Sequence, residues 1–263
     1  MGTDAGRNFI ENLSWDEVAR RIAGGSTAIL PIGAATKQHG FHLPLNTDRI
    51  QAELLAARVA EPIGALIWPT VTYGYYPAFV EYAGSSSLSA STFEAVVHEI
   101  ATGILDAGCI SLLVLDTGIS TLAPVERALA RLDAGQVMHL RIHEGPRYRR
   151  AAEALAGQSH GGHADELETS LMLALAPQRV DMARAEASPA LKQQVPGRLT
   201  SFDSNSPNYS RSGSYGDPTL ATSAKGEILL AAMLGDLTEQ VAALMAEQPV
   251  GKQRPNPIRG KFL

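Results

Sequence analysis

Apolar positions along this chain fall into two alternating patterns. Short, mostly apolar runs at residues 28–30, 65–69, 110–115 and 137–142 predict buried strands. Between them, apolar residues recur at helical spacing and predict helices over 15–23, 49–60, 91–106 and 123–132. A basic stretch at 146–157 also has helical character. A helix opens at Glu168-Thr169-Ser170 and runs to Leu175 before Pro177, and a last long helix covers 223–247. Local signals support the boundaries. Ser14 with Glu17 three residues on is a capping box, Gly24-Gly25 closes the same helix, and Ser91 or Thr92 stands at the start of the 91–106 helix. Strand and helix alternate as far as the helical stretch at 146–157, as expected of a parallel sheet. The predicted elements span about 13–245 with no linker or internal repeat, so residues 1–263 read as one domain with short terminal extensions.

Composition narrows the function classes. The 263 residues are 45% hydrophobic and 19% charged, which is ordinary for a globular chain. With 22 basic and 27 acidic side chains the net charge is −5, against the basic surface that nucleic-acid binding needs. No uninterrupted apolar run approaches the roughly 20 residues of a membrane span. The polar N-terminus lacks the core of a signal peptide, so a cytoplasmic location is expected. Cys109 is the one cysteine, which excludes an intrachain disulfide and a thiolate metal cluster.

Candidate chemistry concentrates after the first strand, at the carboxyl end where α/β proteins bind ligands. Pro31-Ile32-Gly33-Ala34-Ala35-Thr36-Lys37-Gln38-His39-Gly40-Phe41-His42-Leu43-Pro44-Leu45-Asn46-Thr47-Asp48 holds two histidines, a lysine and an aspartate. His39 and Asp48 supply the imidazole and carboxylate preferred by Zn²⁺ and its neighbours. A second polar loop, Ser159-His160-Gly161-Gly162-His163-Ala164-Asp165-Glu166-Leu167-Glu168, brings a histidine and a carboxylate five residues apart at the entry to a helix. Tyrosines crowd the loop after the second strand, where Tyr73 and Tyr75 either line a pocket or pack the loop.

The stretch from Gly33 to Asp48 resembles the signature of the creatininase family of metal-dependent amidohydrolases, close to G-S-x-E-Q-H-G-P-H-L-P-L-x-T-D. His163 to Leu173 resembles the family's H-A-G-x-x-E-T-S-x-M-L, with Asp165 in place of glycine. Gly213 to Glu227 resembles its t-G-v-x-G-D-P-x-x-A-t-x-x-K-G-E. Departures are as informative as matches. Lys37 stands where the family has glutamate, Gly118 where it has a liganding histidine, and Ser120 where some members place a liganding glutamate. The histidine of the second loop is also absent, with Phe79 or Val80 near its place.

The resemblance implies a single-domain three-layer α/β/α sandwich with a mainly parallel sheet, assembled as a homo-oligomer, often a hexamer. It implies hydrolysis of a C–N bond in a small amide, cyclic amide or formamide. Carried over residue by residue, His39, Asp48 and Glu168 are the metal ligands that remain, and His163 is the proton donor or acceptor. Lys37 would supply positive charge where a second ion is lost, leaving one divalent ion (Zn²⁺, Mn²⁺ or Fe²⁺). Tyr73, Tyr75 and His160 are the candidates for contacting substrate, with His160 a further candidate ligand. Two other readings stay open at this point: a non-catalytic small-molecule-binding or assembly relative, and a metal-independent enzyme using Lys37 as nucleophile or base.

Overall fold

A computed structural model describes residues 4–188 and 197–247; part of each terminal extension expected from the sequence lies outside these residues. Four parallel strands, β1 (Thr27–Ile32), β2 (Leu66–Ile67), β3 (Ser111–Asp116) and β4 (Val137–Arg141), lie in the order β2-β1-β3-β4. The central strands β1 and β3 are buried at every position, which is why they read as continuous apolar runs rather than alternating ones. Edge strand β2 is shorter than its apolar run suggests, because Pro69 has no N–H to extend the ladder.

Helices cover both faces. Alternate residues of the strands divide the core in two, as the period of a pleated strand requires. Ile29, Ile67, Leu113, Leu115 and Leu140 meet α2 (Thr47–Ala60), α5 (Pro146–Leu155), α6 (Glu166–Leu175) and α7 (Ser223–Glu247). Ala28, Leu30, Ile32, Leu112 and Val114 face α3 (Ala90–Asp106) and α4 (Leu122–Leu129), with Ile22 of α1 (Trp15–Ala23) packed beside them. The result is the expected three-layer sandwich.

Local chemistry sets the helix ends. Glu17 accepts the Ser14 N–H at 2.9 Å at the start of α1. α3 is capped by Ser89, whose hydroxyl accepts from the Thr92 N–H at 3.1 Å; Ser91 and Thr92, the residues expected to cap it, lie inside the helix. α5 borrows its cap from another helix: buried Asp236 of α7 accepts from the N–H groups of Arg147 (3.2 Å) and Tyr148 (2.8 Å). α7 is long and apolar enough, by length and composition, to cross a bilayer, although no uninterrupted apolar run in it is that long. Its Leu229, Met233, Leu237, Val241 and Leu244 instead complete the core beneath the sheet.

Two glycines fix how closely the layers approach. A Cβ on Gly33 would stand 2.4 Å from the Asp48 carbonyl oxygen, so glycine lets α2 start against the end of β1. A Cβ on Gly226 would stand 1.8 Å from the Ser170 carbonyl oxygen, where α6 and α7 cross.

Candidate metal and substrate site

The loop from β1 to α2 and the loop before α6 meet at the carboxyl end of the sheet. Buttressing comes from the C-terminal segment. Gln38 donates to the Gly213 carbonyl at 2.8 Å, and His163 and Tyr215 exchange backbone hydrogen bonds of 3.3 and 2.7 Å. The third sequence match, around Gly213–Asp217, therefore supports the site from behind rather than contributing a ligand.

Asp165 organises the second loop. Its Oδ1 accepts the Leu167 and Glu168 N–H groups at 3.0 Å each, capping α6. Its Oδ2 accepts from the Gly162 N–H and the Gln158 amide at 2.8 Å each. Ala164, between His163 and this cap, has φ of +47°, a left-handed conformation that alanine seldom adopts. The strain lies directly beside the candidate ligands, and the Ala164 N–H donates to Glu168 at 2.6 Å.

The two imidazoles are aimed by consecutive backbone carbonyls. His39 Nδ1 donates to the Lys37 carbonyl and His163 Nε2 to the Gln38 carbonyl, both at 2.8 Å. A carbonyl oxygen only accepts, so each of these nitrogens carries the proton. That leaves His39 Nε2 facing Glu168 Oε1 at 3.6 Å, and His163 Nδ1 facing Glu168 Oε2 at 3.8 Å. Asp48 Oδ1 approaches the same His39 nitrogen at 3.0 Å. Donors around a tetrahedral ion with bonds of about 2.0–2.2 Å stand roughly 3.3–3.5 Å apart. His39, His163 and Glu168 come near that spacing, with ligand atoms within 4.8 Å of one another, and the carbonyls that anchor the two imidazoles are the usual second layer of a metal centre.

Charge and burial agree with that geometry. Burial alone would raise the Asp48 carboxyl, but the neighbouring Lys37 and His39 hold it well below the usual carboxylate range. Burial would likewise raise Glu168, while His39, His163 and Lys37 keep it low. Both carboxylates are thus ionised. Burial, with His39 and Lys37 adding to it, pushes the His163 imidazole down to about 3. Its lone pair is free at ordinary pH, which suits a ligand better than the proton shuttle expected from the sequence. His42 stands beside the cluster, bonded to the Thr169 hydroxyl at 2.8 Å, and burial pushes it down to about 4.

A cation of the chain itself stands beside this group. Lys37 Nζ lies 2.7 Å from Asp48 Oδ2, with the Phe79 and Tyr76 ring centroids 5.1 and 5.7 Å away. After β3, Asp116 Oδ1 accepts from the Gly118 N–H at 2.9 Å and the Thr121 hydroxyl at 2.8 Å. A Cβ at position 118 would stand 2.3 Å from that bonded hydroxyl oxygen, so the loop has no room for a liganding side chain. The Ser120 hydroxyl turns away to the Tyr75 carbonyl, at 2.7 Å. His39, His163 and Glu168 are the residues present that could hold a divalent ion.

A cavity of about 610 Å³ opens beside Lys37, His163 and Glu168. His160 lines it, as expected. Tyr73 and Tyr75 do not. Tyr73 is 56% exposed, and Tyr75 packs against the α3–α4 side of the core. Phe79, His143 and Tyr148 line the cavity instead. His143 went unrecognised because a histidine just past an edge strand has no local signature; only the sheet order turns it towards the site.

Comparison with known proteins gives the family. Creatinine amidohydrolase of Pseudomonas putida is 29% identical over 245 residues, covering 84% of this chain and 91% of that protein. A mycofactocin precursor peptide peptidase of Mycobacterium tuberculosis is 29% identical over 241 residues, covering 85% and 87%. A crystal structure of creatinine amidohydrolase superposes with a TM-score of 0.77 at 25% identity, over 92% of this chain and 99% of the other. Related creatininase structures include a manganese form and a Zn–Zn type. The family model for creatininase, creatinine amidohydrolase, matches residues 11–241, and the chain belongs to the creatininase family.

Proposed function

We propose that this chain hydrolyses a C–N bond of a small amide with one divalent ion rather than two. The observation that carries this reading is the convergence of the His39 Nε2 and His163 Nδ1 lone pairs on Glu168, each ring fixed by a backbone carbonyl. Asp48 Oδ1 is a fourth donor on the same side. A bound Zn²⁺ or Mn²⁺ would supply Lewis acidity for a water and for the amide carbonyl. Membership of an amidohydrolase family, with relatives solved in manganese and zinc forms, supports the same chemistry.

The protein's own groups divide the remaining work. Glu168 presents ionised carboxylate oxygens at the cavity wall, while buried Asp48 stays ionised against Lys37 and holds that ammonium in place. Lys37 is pinned to Asp48, so its ammonium is a preorganised cation at the cavity wall, placed to favour negative charge developing on a carbonyl oxygen. An amine held in that ion pair is a poor nucleophile, which disfavours the metal-independent reading.

The test is metal content per chain after incubation with Zn²⁺ or Mn²⁺ and removal of excess. Wild type should hold one ion, and His39→Ala and His163→Ala should hold almost none. Two ions would overturn the single-ion site. None at all would overturn metal-dependent hydrolysis and leave a binding or assembly role.

A further inference from the structure

The cavity wall is electrically spent, and this points to the kind of amide it takes. Three charged side chains line it: Lys37, Asp165 and Glu168. Lys37 is paired with Asp48. Asp165 accepts four N–H groups, from Gln158, Gly162, Leu167 and Glu168. Glu168 accepts the Ala164 N–H and faces the lone pairs of both imidazoles, the side on which the ion would sit. With one divalent ion in place, that ion and Lys37 together balance Asp48, Asp165 and Glu168.

Several polar neighbours are satisfied within the protein too. The Thr117 hydroxyl donates to the Ile32 carbonyl at 3.1 Å, and Ser120 to the Tyr75 carbonyl at 2.7 Å. The Gln158 amide bonds Asp165 and accepts from the Glu166 and Asp217 N–H groups. What remains for a ligand is mostly apolar surface, from Phe79, Ile119, Tyr148 and Leu167. His143 sits against the Tyr148 ring with centroids 5.4 Å apart, and burial pushes it below the ordinary histidine range, leaving a neutral hydrogen-bonding edge. At about 610 Å³ the space also exceeds the need of a single small ring, falling within the range of pockets for drug-sized ligands.

We infer that the substrate is an uncharged amide bearing an aryl or branched-alkyl arm, which lies along Phe79, Ile119, Tyr148 and Leu167. An unpaired carboxylate or ammonium brought into this wall would lose its hydration and find no free counter-charge. Ile119, 67% exposed at the cavity rim, and half-buried Phe79 are the residues that set the preference. This inference rests on the amidohydrolase reading for the word substrate, but its binding preference does not depend on turnover.

The experiment uses full-length protein loaded with one equivalent of Zn²⁺, the state in which the wall is balanced, titrated calorimetrically with three probes sharing one phenyl arm: N-benzylacetamide, 3-phenylpropanoate and 2-phenylethylammonium. The neutral amide should bind at least tenfold more tightly than either ion. Phe79→Ala and Ile119→Ser should each weaken it about fivefold, and the exposed position of Ile119 keeps the second variant folded. An ion that binds as well as the amide, or an amide that does not saturate, overturns the inference. Metal-loaded protein assayed on the same amide separates the two ideas. Binding without hydrolysis of this or any other amide counts against the enzyme alone, whereas efficient hydrolysis of charged amides counts against the neutral cavity alone.

Discussion

At the scale of single residues, Lys37 decides what kind of site this is. Its ammonium compensates a carboxylate that is almost wholly removed from water, so removing it should be expensive. Lys37→Met leaves Asp48 buried without its counter-charge, and breaking such a pair costs about 3–5 kcal/mol. Denaturant unfolding of metal-free protein should show a loss in that range, and a loss under 1 kcal/mol would mean Asp48 finds another partner. The chain singles out His39, Asp48 and Glu168 because they sit in short, dense motifs. What it does not show is where the His163 lone pair points. That direction is set by the Gln38 carbonyl, 125 positions away in sequence. Tyr73 and Tyr75 misled for a related reason: an aromatic loop beside a pocket reads alike whether its rings face inward or away.

Elements were read well wherever their signals are local. The helix 15–23 and the helix 223–247 stand where periodicity and caps put them. What escaped is capping from a distance. Asp236 closes α5 across 89 positions, and no spacing rule reveals a cap supplied by another helix. Asp236→Ala should cost about 1–2 kcal/mol, the usual value of a lost helix cap, read by thermal or denaturant unfolding. Asp165→Ala should do more than uncap α6. It also frees the Gly162 end of the loop, so His163 and Glu168 lose their common frame. Metal affinity should fall by 10–100-fold, as for lost second-layer contacts, measured by competition with a chromophoric chelator. Unchanged affinity would show that the loop holds its shape without Asp165.

For the whole molecule, the buried histidines tie stability to pH. His163 and His42 have folded values of about 3 and 4, against an ordinary value of 6.5. Between those limits the unfolded chain binds more protons than the folded one, so stability is full above about pH 6.5 and declines as pH falls. Asp48 and Glu168 are also depressed, and the stability they add is lost only further down, below the ordinary carboxylate range. Metal-free protein should therefore lose thermal stability between pH 7 and 5, before its carboxylates titrate, and His163→Asn should flatten that decline. A flat profile over this interval in the wild type would refute it. The mainly parallel sheet and the three layers were implied by the resemblance. The division of the core into two faces follows from the strands themselves, since alternate residues must point opposite ways.

The loop after β3 makes the change of site hard to reverse. Restoring a histidine at position 118 places its Cβ against a threonine hydroxyl that is already bonded to Asp116. Restoring a glutamate at position 37 alone sets a second carboxylate against Asp48. Each single change towards the family's signature at these positions therefore meets a contact this chain has already formed. Thr121 would have to yield together with Gly118, and Asp48 would need a new counter-charge when Lys37 leaves.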